Sequence, residues 1–269
     1  MTPPRASPPG QGQDFPYWLL IVAAVGGWLF YRVLADDLYA QVLTTLSKGI
    51  AITVFVTLVA FSLACLLGLG LALAAMSRFV VVRQVARLYV EIVRGIPIIV
   101  LLLYVAFVLA PGVVAFWNGL SGPLGFDPWR TRDFSLLWRA VIALTIAYSA
   151  FLAEVFRAGL LSVDAGQTEA AQALGLNGWQ RFRHILFPQA FRTILPPLGN
   201  DFVAMVKDSS LVSVLGVTDI TQLGKVTSAG NFRYFETYNV VALIYLTMTI
   251  TLSLILRRIE AQLRARQER

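Results

Sequence analysis

The sequence predicts an all-α protein, a polytopic membrane helix bundle with about six transmembrane helices. Of its 269 residues, 57% are hydrophobic, whereas soluble domains contain about 45–50% apolar residues. The mean hydropathy is +0.70, and apolar stretches of about 20 residues, the length needed to cross a bilayer, recur along most of the chain. Such a chain has too little polar surface for a soluble fold, so we expect a single membrane domain.

Six apolar stretches are long enough to span a membrane. They lie at 17–34, 50–76, 88–110, 136–159, 195–217 and 237–257. Only Arg5 precedes the first stretch and no small-residue cleavage site closes it, so we interpret it as a retained helix rather than a cleaved signal. The Pro- and Gly-rich segment 1–16 is predicted to be a disordered cytoplasmic tail, and 261–269 a basic cytoplasmic tail.

The distribution of basic residues predicts the orientation. If all six stretches span, 14 of the 22 Lys and Arg residues lie on the side of both termini, 7 lie on the other side, and Lys207 falls within the membrane. Basic residues are retained on the cytoplasmic side, so both termini and the 160–194 loop are expected there. Asp201, Lys207 and Asp208 interrupt the fifth stretch, but omitting it would place the arginine-rich C-terminus outside.

The polar segment 165–188 is predicted to form a helix, a turn and a second helix. Residues 168–174 are good helix formers, and Gly175 suits the left-handed position that follows a helix C-terminus. Asn177 and Gln180 have the spacing of a capping box for the next helix. Pro188 is expected to close that second helix.

This segment carries a spaced motif. Its positions are Glu169, Ala170, Ala171, Gly175, Ile185 and Pro188. It resembles the EAA loop of ATP-binding-cassette importer permeases, E-A-A-x3-G-x9-I-x-L-P, in which a membrane subunit docks onto a separate ATPase. Phe187 stands where the pattern has leucine. Trp179, Phe182 and Leu186 add an apolar stripe on the second helix, so we expect a coupling surface; the alternative is an ordinary amphipathic loop lying on lipid headgroups.

The resemblance extends over about 45–260. It rests on Arg94-Gly95-Ile96-Pro97, Ala153-Glu154-Val155-Phe156-Arg157, Pro196-Pro197-Leu198-Gly199-Asn200 and the run 207–217. These segments look like permeases of the polar amino acid uptake family, the histidine, glutamine and glutamate type. The resemblance implies a five-helix type I importer core, with 17–34 as an added amino-terminal helix and 165–188 as a cytoplasmic coupling helix. The 111–133 connection has no counterpart in this pattern.

What the resemblance implies for function is a permease subunit of an ATP-driven importer of polar amino acids in the cell inner membrane. Its expected partners are a dimer of ATPase subunits, an extracytoplasmic amino acid-binding protein and a second permease copy or paralogue. Alternatives are a permease of the same superfamily for another small solute, such as an opine or an amino acid derivative, and an unpowered carrier.

Charged residues in or near the membrane are candidate functional residues, because they usually face a bundle interior or a wet cavity. Asp201, Lys207 and Asp208 are candidates for lining the pathway or binding substrate; a structural network is the alternative. Two i, i+3 pairs are candidates for bracing helices that move, or else are simple interfacial ion pairs. These pairs are Glu91 with Arg94 and Glu154 with Arg157.

Other classes of protein are disfavoured. The only histidine, His184, lies in the predicted cytoplasmic loop, so a Ser-His pair or a multi-histidine metal site within the membrane is excluded. Gly224-Lys225 comes closest to a phosphate-binding loop but lacks its first glycine and its hydroxyl residue. Basic residues are scattered rather than gathered on one face, which disfavours nucleic acid. We therefore predict no enzyme activity, metal or cofactor, and expect ATP hydrolysis on a partner chain.

Overall fold

A computed structural model describes residues 17–265, and within this range it contains helices and no strand. The predicted all-α class is therefore confirmed. The predicted tail 1–16 and residues 266–269 lie outside the described residues. The helices are α1 (Trp18–Ala35), α2 (Asp37–Ser47), α3 (Ile50–Ala75), α4 (Val80–Gly95), α5 (Ile98–Tyr104), α6 (Ala110–Ser121), α7 (Leu136–Leu161), α8 (Ala165–Ala173), α9 (Gly178–Arg181), α10 (Phe187–Asp208), α11 (Ile220–Asn231) and α12 (Tyr234–Ala265).

The centre of the bundle is the contact between α3 and α7, the most extensive between any two helices described. On α3 small residues recur at every fourth position and are buried: Ala60, Ala64, Gly68 and Ala72. They face buried alanines of α7, namely Ala140, Ala143, Ala147, Ala150 and Ala153. A Cβ atom on Gly68 would lie 3.0 Å from the Cβ atom of Leu152. Small residues allow this close approach, which drives helix association in lipid.

Four helical segments between residues 17 and 265 are long and apolar enough to cross a membrane. They are Asp37–Ala75, Ile98–Leu124, Leu136–Leu161 and Tyr234–Gln262. The apolar part of α1 is shorter, at Leu20–Ala35. The predicted fifth stretch corresponds to α10 and the turn after it; the charged residues of α10 lower its hydropathy. After Asp208 the chain continues as a 3-10 helix, Ser209–Leu215, which ends at Gly216 with φ of 80°.

The predicted bounds of the third stretch, 88–110, are wrong. Helix α4 ends at Gly95, Ile96 adopts an extended conformation, and a new helical segment begins at Ile98 and continues apolar to Leu124. Pro97 causes the break, because it lacks an N–H group and excludes the helical conformation for the residue before it. As a result, much of the unassigned 111–133 connection is helical.

Two π-helical turns each precede a proline. The first covers Val105–Leu109 ahead of Pro111, and the second covers Phe182–Leu186 ahead of Pro188. In the second, the Phe187 N–H donates to the Phe182 carbonyl, and the wider turn accommodates Pro188, which has no N–H to donate. The prediction that Pro188 closes a helix is therefore wrong: the chain stays helical from Gly178 to Asp208.

A tight backbone contact joins the start of α3 to the start of α11. A Cβ atom at Gly49 would lie 2.5 Å from the Ile220 nitrogen. Asp219 next to it is buried and caps α11, accepting a hydrogen bond from the Gln222 N–H at 2.8 Å and one from the Tyr245 hydroxyl at 3.2 Å. Burial raises the pKa of Asp219, and these hydrogen bonds oppose the rise. The contact fixes α11 against α3 and α12.

We predict that Gly49→Ala lowers the thermal unfolding temperature, because its new methyl group meets backbone atoms that cannot move independently. Overpacking of this kind costs about 1–3 kcal/mol. The matched control is Gly26→Ala in α1, where a Cβ atom would have no neighbour within 4 Å. Thermal unfolding of the detergent-solubilised protein, followed by tryptophan fluorescence, measures the difference; equal unfolding temperatures for the two variants would contradict the contact.

Candidate functional site

The segment between α7 and α10 begins with α8, which ends as its sequence predicts. Gly175 has φ of 79°. The Leu176 N–H donates to the Ala171 carbonyl at 3.1 Å and the Gly175 N–H to the Gln172 carbonyl at 2.9 Å. This pair of bonds is the Schellman motif, which requires a left-handed residue and hence favours glycine. The predicted turn at Gly175 is confirmed.

Helix α9 begins with the predicted capping box. The Asn177 side chain accepts a hydrogen bond from the Gln180 N–H at 2.9 Å, and the Gln180 side chain accepts one from the Asn177 N–H at 2.9 Å. Arg181 then donates to the side-chain oxygen of Gln172 at 3.1 Å, which ties α9 to α8. The helix–turn–helix is therefore held by its own hydrogen bonds.

The predicted coupling residues are not equally accessible. Glu169, Ala170, Trp179 and Pro188 are exposed, Phe182 and Ile185 are half-buried, and Ala171 is buried. Sequence reasoning missed Leu174, whose exposed fraction of 81% exceeds the 66% of Trp179. Its place next to Gly175 was the available signal, because the left-handed glycine ends the helix and leaves no following turn to cover Leu174.

An aromatic row connects this segment to the bundle. The rings of Trp179 and Phe182 lie 5.9 Å apart, those of Phe182 and Phe187 5.9 Å, and those of Phe187 and Phe191 5.6 Å. The predicted Trp179, Phe182 and Leu186 stripe is thus only partly free for a partner, since Phe182 is shared with this row. The arrangement links the exposed end of α9 to α10 through packed side chains.

The two helices that flank this segment, α7 and α10, are also in close contact. A Cβ atom at Gly159, near the end of α7, would overlap with a side-chain carbon of Ile194 on α10. The Ser162 hydroxyl donates to the Thr193 hydroxyl at 3.3 Å. Helices α7 and α10 therefore cross in close contact directly behind the helix–turn–helix.

The three charged residues of α10 have different surroundings. Asp208 accepts a hydrogen bond from the Tyr148 hydroxyl at 2.8 Å. Asp201 is partly buried, within electrostatic range of Tyr148 and Cys65. Lys207 is exposed, and no ion pair within residues 20–262 involves any of the three. Sequence reasoning missed Tyr148, whose hydroxyl links α7 to α10. The side of α10 that carries Asp201 and Asp208 is called here its carboxylate face.

The two Glu-x-x-Arg pairs line one cavity of about 400 Å3 between α3, α4 and α7. Its lining residues are Leu71, Ala72, Ala75, Arg87, Val90, Glu91, Arg94, Ala153, Glu154 and Arg157. The Arg157 guanidinium and the Glu154 carboxylate form an ion pair at 2.6 Å. Glu91 and Arg94, both within the described range, form none; Arg94 lies over the Phe151 ring, 5.9 Å from its centroid.

Long apolar helices, partly buried carboxylates on α10 and a polar helix–turn–helix between α7 and α10 are typical of the membrane subunit of a transport system. The comparisons agree: the family of binding-protein-dependent transport system inner membrane components matches residues 64–269. The chain belongs to this family. It is a transport subunit rather than an enzyme, in a system that includes a binding protein.

Relatives and solved structures support this assignment. The chain is 34% identical to the glutamine transport system permease protein GlnP of Escherichia coli K12 over 81% of its own length and 93% of that protein. It is 36% identical to the probable amino-acid permease protein YxeN of Bacillus subtilis, over 78% and 88%. A crystal structure of an amino acid ABC transporter with histidines matches at 35% identity with a TM-score of 0.68, covering 85% of this chain and 97% of that chain. The MetNI methionine ABC transporter, at 19% identity and a TM-score of 0.62, shares the fold.

We predict that Asn177→Ala loosens the start of α9. An N-cap substitution to alanine costs about 0.5–2 kcal/mol, so backbone amides in 178–181 should exchange with solvent faster than in the unaltered chain. Asn177→Asp is the matched control, since a carboxylate also caps. Hydrogen exchange followed by mass spectrometry measures the effect; equal protection in Asn177→Ala would contradict the capping role.

Proposed function

We propose that this chain is the permease subunit of an ATP-driven importer of polar amino acids, forming the pathway and coupling to a separate ATPase. The helix–turn–helix around Gly175 carries the proposal, because its exposed apolar residues lie on a segment locked to two membrane helices. The names of the relatives, which include glutamine and other amino-acid permeases, support the substrate class. The sequence has no phosphate-binding loop, so the energy would come from another chain.

The coupling surface would consist of Glu169, Ala170, Leu174 and Trp179, which are all exposed. Small Ala170 permits close approach of a partner, while Leu174 and Trp179 offer apolar surface for a pocket. Motion of the ATPase subunits would pass from this surface through the aromatic row and into α10. A dimer of ATPase subunits, an extracytoplasmic amino acid-binding protein and a second permease copy complete the proposed assembly.

The substrate pathway would pass the carboxylate face of α10. Asp201 and Asp208 are seven residues apart on one helix, and thus share a face about 10 Å apart along the axis. Tyr148 bonds Asp208, so Asp201 is the carboxylate left available for the ammonium group of an amino acid. Lys207 is exposed, and its proposed pathway role would require a second chain or bound solute beside it.

The proposed orientation follows from the basic residues. Arg78, Arg83 and Arg87 follow α3, and Arg181, Arg183 and Arg192 lie in or near the helix–turn–helix. Placing both groups in the cytoplasm puts the ends of α3 and α7 on the same side and both termini inside. The proposed coupling surface then faces the compartment that contains ATP.

We predict that Gly175→Val weakens assembly with the ATPase. A left-handed backbone costs about 1–2 kcal/mol for a residue with a side chain, so the turn should be populated about five- to thirty-fold less. Gly178→Val is the matched control, because φ at Gly178 is not positive and the nearest atom to an added Cβ lies 4.0 Å away. Co-purification with the ATPase and uptake by proteoliposomes are the measurements; unaltered complex yield and uptake would refute the coupling assignment.

We predict that Asp201→Asn raises the apparent KM for amino acid uptake about tenfold or more, because a hydrogen bond to a charged group contributes about 1.5–3 kcal/mol. Uptake by proteoliposomes containing the binding protein and the ATPase measures it, with complex yield monitored separately. Asp127→Asn is the control, since Asp127 is exposed outside the helices. Native affinity and rate in Asp201→Asn would exclude a substrate role.

A further inference from the structure

The cavity between α3, α4 and α7 is separate from the carboxylate face of α10. It lies where α3 is about to end, at Leu71 to Ala75, and where α7 approaches the helix–turn–helix, at Ala153 to Arg157. It therefore lies toward the same side of the bundle as the coupling surface. The alanines among its lining residues, Ala72, Ala75 and Ala153, leave the space open.

The charges of this cavity are only partly matched. It is lined by three guanidinium groups, those of Arg87, Arg94 and Arg157, and by two carboxylates, those of Glu91 and Glu154. The Glu154 and Arg157 side chains neutralise each other at 2.6 Å. No ion pair within residues 20–262 involves the other three. Two guanidinium groups and one carboxylate on one face of α4 thus have no ion-pair partner there.

A purely structural network would pair these groups. Glu91 and Arg94 have the i, i+3 spacing at which side chains meet on a helix, but Arg94 instead lies over the Phe151 ring of α7. Arg83, one turn before Arg87, shows the contrast: it donates to the Ser77 carbonyl at 3.0 Å and does not line the cavity. Arg87, Glu91 and Arg94 are exposed, so their charges stay accessible to a ligand of matching charges in the cavity.

We propose that this cavity binds the zwitterionic head of a free α-amino acid from the cytoplasmic side. Arg87 and Arg94 would hold the α-carboxylate, since guanidinium groups bind carboxylates through paired hydrogen bonds. Glu91 would accept hydrogen bonds from the α-ammonium group. The side chain of the amino acid would lie against the alanines and Val90. The site goes beyond the proposed function, which places the transported amino acid beside Asp201.

The Glu91 carboxylate distinguishes this ligand from a simple anion. A phosphate or a lipid headgroup of net negative charge would be attracted by Arg87 and Arg94 but repelled by Glu91. A volume of about 400 Å3 holds a free amino acid within the range of small-molecule sites. What favours the zwitterion is Glu91, because it gives an α-ammonium group a partner that a simple anion cannot use.

The test uses the permease assembled with its ATPase in nanodiscs of neutral phosphatidylcholine. Leu71→Cys, made together with Cys65→Ala, places the only thiol of this chain at the cavity wall, and a maleimide reports its accessibility when the label on this chain is measured separately from the ATPase by mass spectrometry. L-glutamine should slow labelling at least about fivefold. Glutaramate, which lacks the α-ammonium group, and 4-aminobutyramide, which lacks the α-carboxylate, should each need at least about tenfold higher concentration.

Variants made in this same background localise the effect. Arg94→Gln and Glu91→Gln should each raise the L-glutamine concentration for half-protection at least about tenfold, whereas Arg83→Gln should leave it unchanged. Asp201→Asn should also leave it unchanged, so failure of the proposed substrate role would be separable from failure of this site. Complex yield and size-exclusion profiles confirm that each variant is assembled.

Three results would overturn the proposal. One is equal protection by L-glutamine and both analogues. Another is protection that persists in Glu91→Gln and Arg94→Gln. The third is a cavity thiol that L-glutamine does not protect but phosphatidylglycerol in the nanodisc does, without any amino acid. That result would assign the cavity to an anionic lipid.

Discussion

The close contact between α3 and α7 is the constraint on which the rest of the structure depends. Lipid tails are as apolar as leucine, so burial of large side chains cannot hold membrane helices together as it does in water. The row Ala60, Ala64, Gly68 and Ala72 lets α3 approach the alanines of α7 instead. Helices α4 and α10 then pack on this pair, and the charged cavity and the carboxylate face form where they do so.

Helix α10 connects the proposed coupling surface to the membrane interior. The chain is helical from Gly178 to Asp208, with a π-helical turn at Phe182–Leu186. At 1.5 Å per residue, α10 spans about 33 Å. Pro196 and Pro197 lie inside this helix, where proline removes backbone hydrogen bonds and favours a kink. In the proposed function, a displacement of α9 would therefore reach Asp201 through this proline pair. At Gly159 and Ile194, α7 and α10 are in close contact, so this crossing holds the two helices together.

The way each charge is accommodated separates architectural from functional residues. The Arg139 guanidinium is buried and donates to the carbonyls of Phe134 and Ala106, both at 2.9 Å. Asp208 is bonded by Tyr148, and Arg157 by Glu154. These groups are satisfied within the chain: the hydrogen bonds of Arg139 and Asp208 join different elements, whereas the Glu154–Arg157 pair lies within α7. Asp201, Arg87, Glu91 and Arg94 have no ion-pair partner among residues 20–262, which is why the proposals rest on them.

Residue spacing alone determined the helical class, the left-handed turn at Gly175 and the capping box at Asn177, because each depends on interactions within about six residues. The sequence could not place Pro188 inside a continuous helix, since a π-helical turn is a local adjustment that no residue type demands. Nor could it distinguish the paired Glu154 from the unpaired Glu91, which have the same i, i+3 spacing to arginine. Only the tertiary structure decided that difference, because it places the Phe151 ring of α7, rather than the Glu91 carboxylate, against the Arg94 guanidinium.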